Sequence, residues 1–309
     1  MSGSPARPAR SGEELVAAVP ELDQLAPLRV RELSNVPGVN MDPPAAARAV
    51  CAAADAIEGG AAGAVITQGT DTIEETAELA DLCWPHEEPL AITGAIRAGG
   101  SAAPDGPLNL LDAVRFAADR SARGLGPAVV FDGLAHPAAQ AVKSHSWRSD
   151  AFDSPTPLAE IREGHVRPLF AGRPVRRPLA APAALMAADL DSYVPILAAA
   201  AGMGSRPLDA LRGDGARGLV VLALGAGHLP EAMLAGVDRA LAAGLPVVIC
   251  ARPARGGTLE RTYGFEGSET DLAARGAILA GRASPWKARI RLLVALGLRE
   301  PPADLFATA

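Results

Sequence analysis

The sequence is poor in cysteine, in aromatic residues and in long apolar runs, and each scarcity closes off a class of protein. Three cysteines in 309 residues, Cys51, Cys83 and Cys250, stand far apart with no Cys-x-x-Cys pair. An odd number at that spacing supports neither a disulfide framework nor a zinc site. They are expected as buried thiols in a reducing, cytoplasmic compartment, and no metal is expected. The longest stretch without Asp, Glu, Lys or Arg, Ser192 to Ser205, is 14 residues and contains a proline and two glycines. A membrane-crossing helix needs about 20 apolar residues, so no membrane span is expected. The amino-terminal residues carry arginines but no apolar run behind them, so no secretory signal is expected. There is no basic stripe either: 29 Lys and Arg against 35 Asp and Glu leave a net charge of −6, scattered along the chain. Nucleic acid is therefore not an expected partner.

What is present is a globular composition, 49% hydrophobic, with 32 glycines and 27 prolines. Short apolar β-type runs alternate with helix-length amphipathic segments, the pattern of βα units around a parallel sheet. Ala61 to Thr67 reads as a buried strand, followed by a helix over Thr72 to Cys83, where Thr72 and Glu75 have capping-box spacing. Pro89 to Gly94 and Pro127 to Phe131 read as further strands, with a helix near Pro107 to Arg123 between them. The proline- and arginine-rich stretch Arg173 to Ala184 has no periodicity and reads as a linker. Beyond it, Tyr193 to Ala199, Gly218 to Leu224 and Pro246 to Cys250 read as strands, and Leu229 to Ala243 and Pro285 to Leu298 as helices. The expected fold class is α/β with two α/β domains. The larger, mostly parallel-sheet domain with flanking helices spans 1–172, a linker 173–190, and a smaller α/β domain 191–309.

In open parallel sheets a ligand sits just past the carboxyl ends of the strands. Gln68-Gly69-Thr70-Asp71-Thr72 occupies that place, with a hydroxyl, a carboxylate and a glycine between a strand and a helix N-terminus, where N–H groups can hold an anion or oxyanion. The same residues would also serve simply to cap the helix. His86, His136, His145 and His165 lack metal-ligand spacing. Gly225, Gly227 and His228 follow a strand, but Gly-Ala-Gly-His alone does not define a phosphate site.

Resemblance carries the reading further. VITQGTDTIEETA (Val65 to Ala77) resembles the second signature of the bacterial L-asparaginase family, and ITGAIRAGGSAAPDGPLNLLDAV (Ile92 to Val114) resembles the segment that follows it. LVAAVPELDQL (Leu15 to Leu25) and SPWKARIRLLVALGL (Ser284 to Leu298) are similar to family segments near the two ends. The resemblance implies cofactor-independent hydrolysis of a side-chain amide, L-asparagine to L-aspartate and ammonia, with L-glutamine as a further substrate. It implies a Thr-Lys-Asp triad carried over as Thr70, Lys143 and Asp71, in which Lys143 takes a proton from a threonine hydroxyl and Asp71 binds the substrate's α-ammonium. Without the resemblance, Lys143 in AVKSHSW would read as a solvated surface lysine. Relatives of this kind assemble as homotetramers built from intimate dimers, with a carboxylate from a neighbouring protomer completing the site. Glu266 and Glu269 are the candidates here, and both also read as ordinary surface acids.

The chain departs from the family in two places. The TGGTIA-like strand end that delivers another catalytic threonine is absent, and MSGSPARPAR resembles the mobile loop that follows it. The resemblance thus leads to the expectation that Met1 is an internal methionine and that a strand of about 10–20 residues with its turn precedes it. The second departure is in SNVPGVNM (Ser34 to Met41). By register on Met41, Gly38 and Val39 fall at the substrate-binding segment, with Gly38 in place of the family's serine and Asn40 in place of its acidic residue. A register using Ser34 is the alternative. Four functional readings follow: an asparaginase-type amidohydrolase; a catalytically impaired amino-acid-binding or regulatory relative; hydrolysis with Thr70 itself as nucleophile; and an amidotransferase component supplying ammonia to transfer-RNA amidation.

Overall fold

The alternation of apolar runs and amphipathic segments folds into βα units, seen in a computed structural model that describes residues 11–97, 101, 103–170 and 178–306. These residues form two units that divide between Met186 and Ala187. In the first, α1 (Gly12–Ala17) opens on a capping box of Ser11 and Glu14. An extended stretch then leads to α2 (Pro43–Glu58), capped by Asp42, whose carboxylate accepts the Ala45 N–H at 2.7 Å. There follow β1 (Ala64–Thr67), α3 (Ile73–Cys83), β2 (Leu90–Thr93), α4 (Gly106–Ala118) and β3 (Ala128–Phe131). Next come β4 (Leu134–Pro137), β5 (Val142–Lys143), β6 (Phe152–Asp153), β7 (Ala159–Arg162), β8 (His165–Pro168) and α5 (Pro182–Ala187).

The six-stranded sheet has the order β1-β2-β3-β4-β7-β8, with β1, β2 and β3 parallel and the remaining pairings antiparallel. Every residue of β2 and β3 is buried, as inner strands covered on both faces are. In β1, at the edge of the described sheet, only Ile66 is buried. Helix α4 supplies much of the packing, with Leu110, Leu111, Val114 and Phe116 all buried. Burying an aliphatic or aromatic side chain of this size contributes about 1.5–3 kcal/mol, so α4 is firmly seated against the sheet that carries the site. Strands β5 and β6 stand apart as a two-stranded antiparallel ribbon.

The second unit is a four-stranded, wholly parallel sheet in the order β12-β11-β10-β9. Its elements are β9 (Ile196–Ala198), α6 (Arg206–Gly213), β10 (Leu219–Ala223), α7 (Glu231–Ala242), β11 (Val247–Ala251), α8 (Glu269–Arg275), β12 (Ile278–Leu279) and α9 (Pro285–Leu298). The fold is the α/β class expected, with two α/β units.

Several local expectations are corrected. Helix α3 does not open on a Thr72–Glu75 capping box. A 3-10 turn over Thr70–Thr72 precedes it, and the Thr72 side chain makes no cap hydrogen bond. Cys51 is partly exposed rather than buried, and its thiol donates to the Pro182 carbonyl at 2.9 Å. Of the expected linker, 173–177 lie outside the described residues and α5 occupies 182–187. MSGSPARPAR also lies outside the described residues.

Candidate active site

Strands β1 and β2 run parallel, with Thr67 opposite Thr93, so their carboxyl ends open side by side. Past β1, the chain passes through Gln68 and Gly69 into the 3-10 turn Thr70–Thr72 and then α3. This puts Thr70 at the start of a helical run, where the first N–H groups have no intrahelical acceptor. Thr70 is 9% exposed. The ribbon of β5 and β6 delivers Lys143 from 73 residues further along: its Nζ donates to Thr70 Oγ1 at 2.9 Å and to Asp71 Oδ1 at 3.3 Å. The Lys143 side chain is 21% exposed and that of Asp71 56%, so the group opens from a buried hydroxyl to a solvent-facing carboxylate. An ion pair this open contributes about 0–1 kcal/mol to stability. Its geometry is therefore more informative about chemistry than about folding.

Lys143 is held in place by a residue that nothing in the sequence singles out. The backbone N–H of Lys143 donates to Glu74 Oε1 at 3.0 Å, and Glu74, in the first turn of α3, is buried. In the sequence Glu74 is one of two acids opening a helix, which is a common composition and carries no sign of a long-range contact.

The two glycine-bearing turns meet on the other side of Thr70. Gly38 begins a 3-10 turn, Gly38–Asn40, and is buried, whereas Val39 is 70% exposed. A Cβ on Gly38 would lie 2.7 Å from the Gly69 carbonyl carbon, so the two backbones touch with no room for a side chain. Thr72 Oγ1 donates to the Gly38 carbonyl at 3.0 Å and accepts from Gln68 Nε2 at 3.2 Å. The hydroxyl that reads as a helix cap in the sequence instead ties the Gly38 turn to the strand end. The structure thus brings Thr70, Asp71 and Lys143 together, with Gly38 against the adjoining Gly69.

Glu266 and Glu269 lie in the second unit and differ sharply. Glu266 is exposed, while Glu269 is fully buried. Glu269 Oε1 accepts the N–H groups of Thr262 and Tyr263 at 2.7 and 2.8 Å, and Oε2 meets His228 Nε2 at 3.1 Å. Burial acts to raise the Glu269 carboxyl, but these N–H donors and His228 outweigh it and hold the group below the usual carboxylate range. Both carboxylate oxygens are engaged within the chain, which leaves Glu266 as the acid with a carboxylate facing out. Among the described residues no cluster of three His, Cys, Asp or Glu side chains could hold a metal ion, and no helix is long and apolar enough to cross a membrane.

The sequence matches the asparaginase N-terminal domain profile over residues 1–170 and the glutaminase/asparaginase C-terminal domain profile over 193–307. The chain belongs to the asparaginase family of amidohydrolases. A probable L-asparaginase of Deinococcus radiodurans is 35% identical over 97% of this chain and 91% of its own length. A component of the glutamyl-tRNA(Gln) amidotransferase of Methanococcus maripaludis is 29% identical, over 94% of this chain and 70% of its own. The crystal structure of a probable cytoplasmic L-asparaginase from Campylobacter jejuni superposes with a TM-score of 0.85 at 29% identity, covering 96% of this asparaginase-family chain and 93% of the other.

Proposed function

We propose that the chain hydrolyses the side-chain amide of L-asparagine to L-aspartate and ammonia, with Thr70 as nucleophile, Lys143 as base and Asp71 as the partner of the substrate's α-ammonium. The observation that carries this reading is the 2.9 Å contact between Lys143 Nζ and Thr70 Oγ1, beside the Asp71 carboxylate. A threonine hydroxyl is a weak nucleophile until an adjacent base takes its proton. In the first step Lys143 acts as the neutral amine: the Thr70 hydroxyl turns its proton onto Nζ, Thr70 Oγ1 bonds to the amide carbon, and the carbonyl electrons move onto oxygen. In this reading the N–H groups at the start of the Thr70–Thr72 turn, which begin a helical run, stabilise that oxyanion. Collapse breaks the C–N bond, and ammonia leaves with the proton from Lys143. Water then attacks the Thr70 ester, Lys143 again takes a proton and returns it to Thr70, and L-aspartate departs. No cofactor enters these steps.

L-glutamine, one methylene longer, is the further substrate of this reading. Gly38 and Val39 flank the substrate through their backbone, and Glu266 is the acid presented to a neighbouring protomer in a cytoplasmic homotetramer built from intimate dimers. Ammonia release from L-asparagine and L-glutamine by the purified chain, with Lys143→Ala beside it, tests the reading. Removal of a general base is expected to lower the rate by about 10²–10⁴-fold. Equal release by the variant would overturn the assignment of Lys143.

The side-chain-free Gly38, wedged against Gly69, favours a second reading in which the site binds an amino acid without turning it over. Saturable L-asparagine binding with no ammonia release would establish that reading instead.

A further inference from the structure

The DGPLNL motif opens α4, outside the Thr70, Asp71 and Lys143 cluster, yet its side chains reach the ends of two strands. Asn109 is 1% exposed. Its Nδ2 donates to the Gly94 carbonyl at 3.0 Å and, more weakly, to Asp105 Oδ2 at 3.4 Å, while its Oδ1 accepts the Asp132 N–H at 3.1 Å. Asp105 in turn accepts the N–H groups of Ile96 and Arg97 at 3.0 and 2.9 Å. Asp132 and Gly133, with φ of +49° and +77°, form the two-residue turn of the β3–β4 hairpin, for which Asp-Gly is a favoured pair, and the Asp132 N–H ties that turn to Asn109.

Gly94 is the link to the chemistry. A Cβ there would lie 2.3 Å from the Gln68 carbonyl oxygen and 3.3 Å from the Thr70 methyl, so the Gly94 backbone closes off the space beside that methyl and leaves no room for a side chain. A threonine has few χ1 wells, and a wall on its methyl side selects the one that turns the hydroxyl elsewhere. Here the hydroxyl is turned onto Lys143 Nζ.

We infer that Asn109, braced by Asp105, is a positioning residue: it fixes the Gly94 backbone, and through it the rotamer in which Thr70 Oγ1 meets Lys143. This inference rests on the assignment of Thr70 as the reacting group, but the clamp itself can be read without turnover. Its placement follows from the fold, because the first turn of α4 is where side chains can reach the ends of both β2 and β3. A carboxylate at 105 takes two successive N–H groups, and an amide at 109 supplies one donor and one acceptor to different strands. Exchanging the two residue types would leave both sets of backbone groups facing like partners.

The test labels threonine methyl groups with carbon-13 and compares the unsubstituted chain with Asn109→Ala, Asn109→Asp and Thr70→Ser. Thr70→Ser removes one methyl signal and so assigns it. In Asn109→Ala the Thr70 methyl signal is expected to move and its rotamer-dependent couplings to average, while those of Thr258, Thr262 and Thr270 in the second unit stay in place. Asn109→Asp keeps the acceptor for Asp132 but loses the donor to Gly94, and gives the same readout if the alanine variant does not fold. In turnover, kcat is expected to fall by about 10-fold or more, toward the ~10²-fold that a 1 Å misplacement costs, with KM unchanged. A Thr70 methyl that stays in place in a folded variant, a general shift of all threonine methyls, or an unchanged kcat once that methyl has moved would each overturn the inference. If the unsubstituted chain releases no ammonia, the proposed function fails while the methyl signals still decide the clamp.

Discussion

The backbones of Gly38 and Gly69 touch beside Thr70, so closely that a Cβ on Gly38 would sit 2.7–2.8 Å from three Gly69 backbone atoms. The resemblance to relatives with serine at this register makes Gly38→Ser look like a restoration of substrate binding. The packing predicts the reverse, because the obstructing atoms are backbone and cannot swing aside. Overpacking of this kind costs about 1–3 kcal/mol. In a unit of this size that corresponds to a fall in thermal midpoint of about 2–4 °C per kcal/mol. Thermal unfolding and KM for L-asparagine, measured on Gly38→Ser, are expected to show a lower midpoint and a higher KM. A lower KM at an unchanged midpoint would show that the turn has room after all.

Glu74 offers a second check. Its Oε1 accepts the Lys143 backbone N–H, so a substitution that keeps an acceptor oxygen should keep that hold. Glu74→Gln is expected to retain most activity, and Glu74→Ala to lose it, since a hydrogen bond to a charged group contributes about 1.5–3 kcal/mol. Equal loss of kcat in both variants would mean that the charge at 74, and not the hold on Lys143, is what matters.

Acid lability follows from two buried groups with known signs. Burial lowers the pKa of His136, which meets Ser154 Oγ at 2.9 Å through Nδ1. The unfolded chain therefore takes up that proton first, and stability declines as pH drops below the ordinary histidine value of about 6.5. Glu269 is held below the usual carboxylate range, so its contribution is intact above about 4.3 and disappears as pH falls through its depressed value. Urea unfolding from pH 7.5 downward should show two successive losses, the first absent in His136→Asn. A profile flat to pH 5 in the unsubstituted chain would contradict the first step.

Glu269→Ala should destabilise the second unit. It strands the N–H groups of Thr262 and Tyr263 next to a buried site, each costing about 1–3 kcal/mol if left without a partner. Glu266→Ala, on an exposed side chain, should leave the unfolding midpoint where it is. Circular dichroism melts of the pair distinguish the two. A large drop for Glu266→Ala would show that its carboxylate is engaged.

Much of the fold was legible because inner parallel strands are nearly continuous apolar runs. LAIT and AVVF stand out between glycines and prolines, and both proved fully buried. Helix α2 was not legible: its buried face is made of Ala46, Ala47, Ala49, Val50, Ala53, Ala54 and Ile57, too close in character to the alanines on its other face. Strands β4 to β8 went unread: β5 and β6 have two residues each, and β4, β7 and β8, as long as β2 and β3, carry His, Glu, Arg or Pro in place of a continuous apolar run. At the site, the Thr70-Asp71 turn could be placed by the strand-end rule, but Lys143 is 73 residues away, and only resemblance could join them. Glu74, Asp105 and Asn109 act through backbone N–H and C=O groups of distant segments, partners that no spacing in a sequence displays.

The central claim is that Thr70 Oγ1, relieved of its proton by Lys143, forms a bond to the substrate. The direct measurement is the mass of the peptide containing Thr70 after L-asparagine turnover is quenched in acid. An aspartyl ester on Thr70 is predicted in the unsubstituted chain and none in Lys143→Ala. Steady ammonia release with no adduct on Thr70, or with the adduct on another residue, would contradict it.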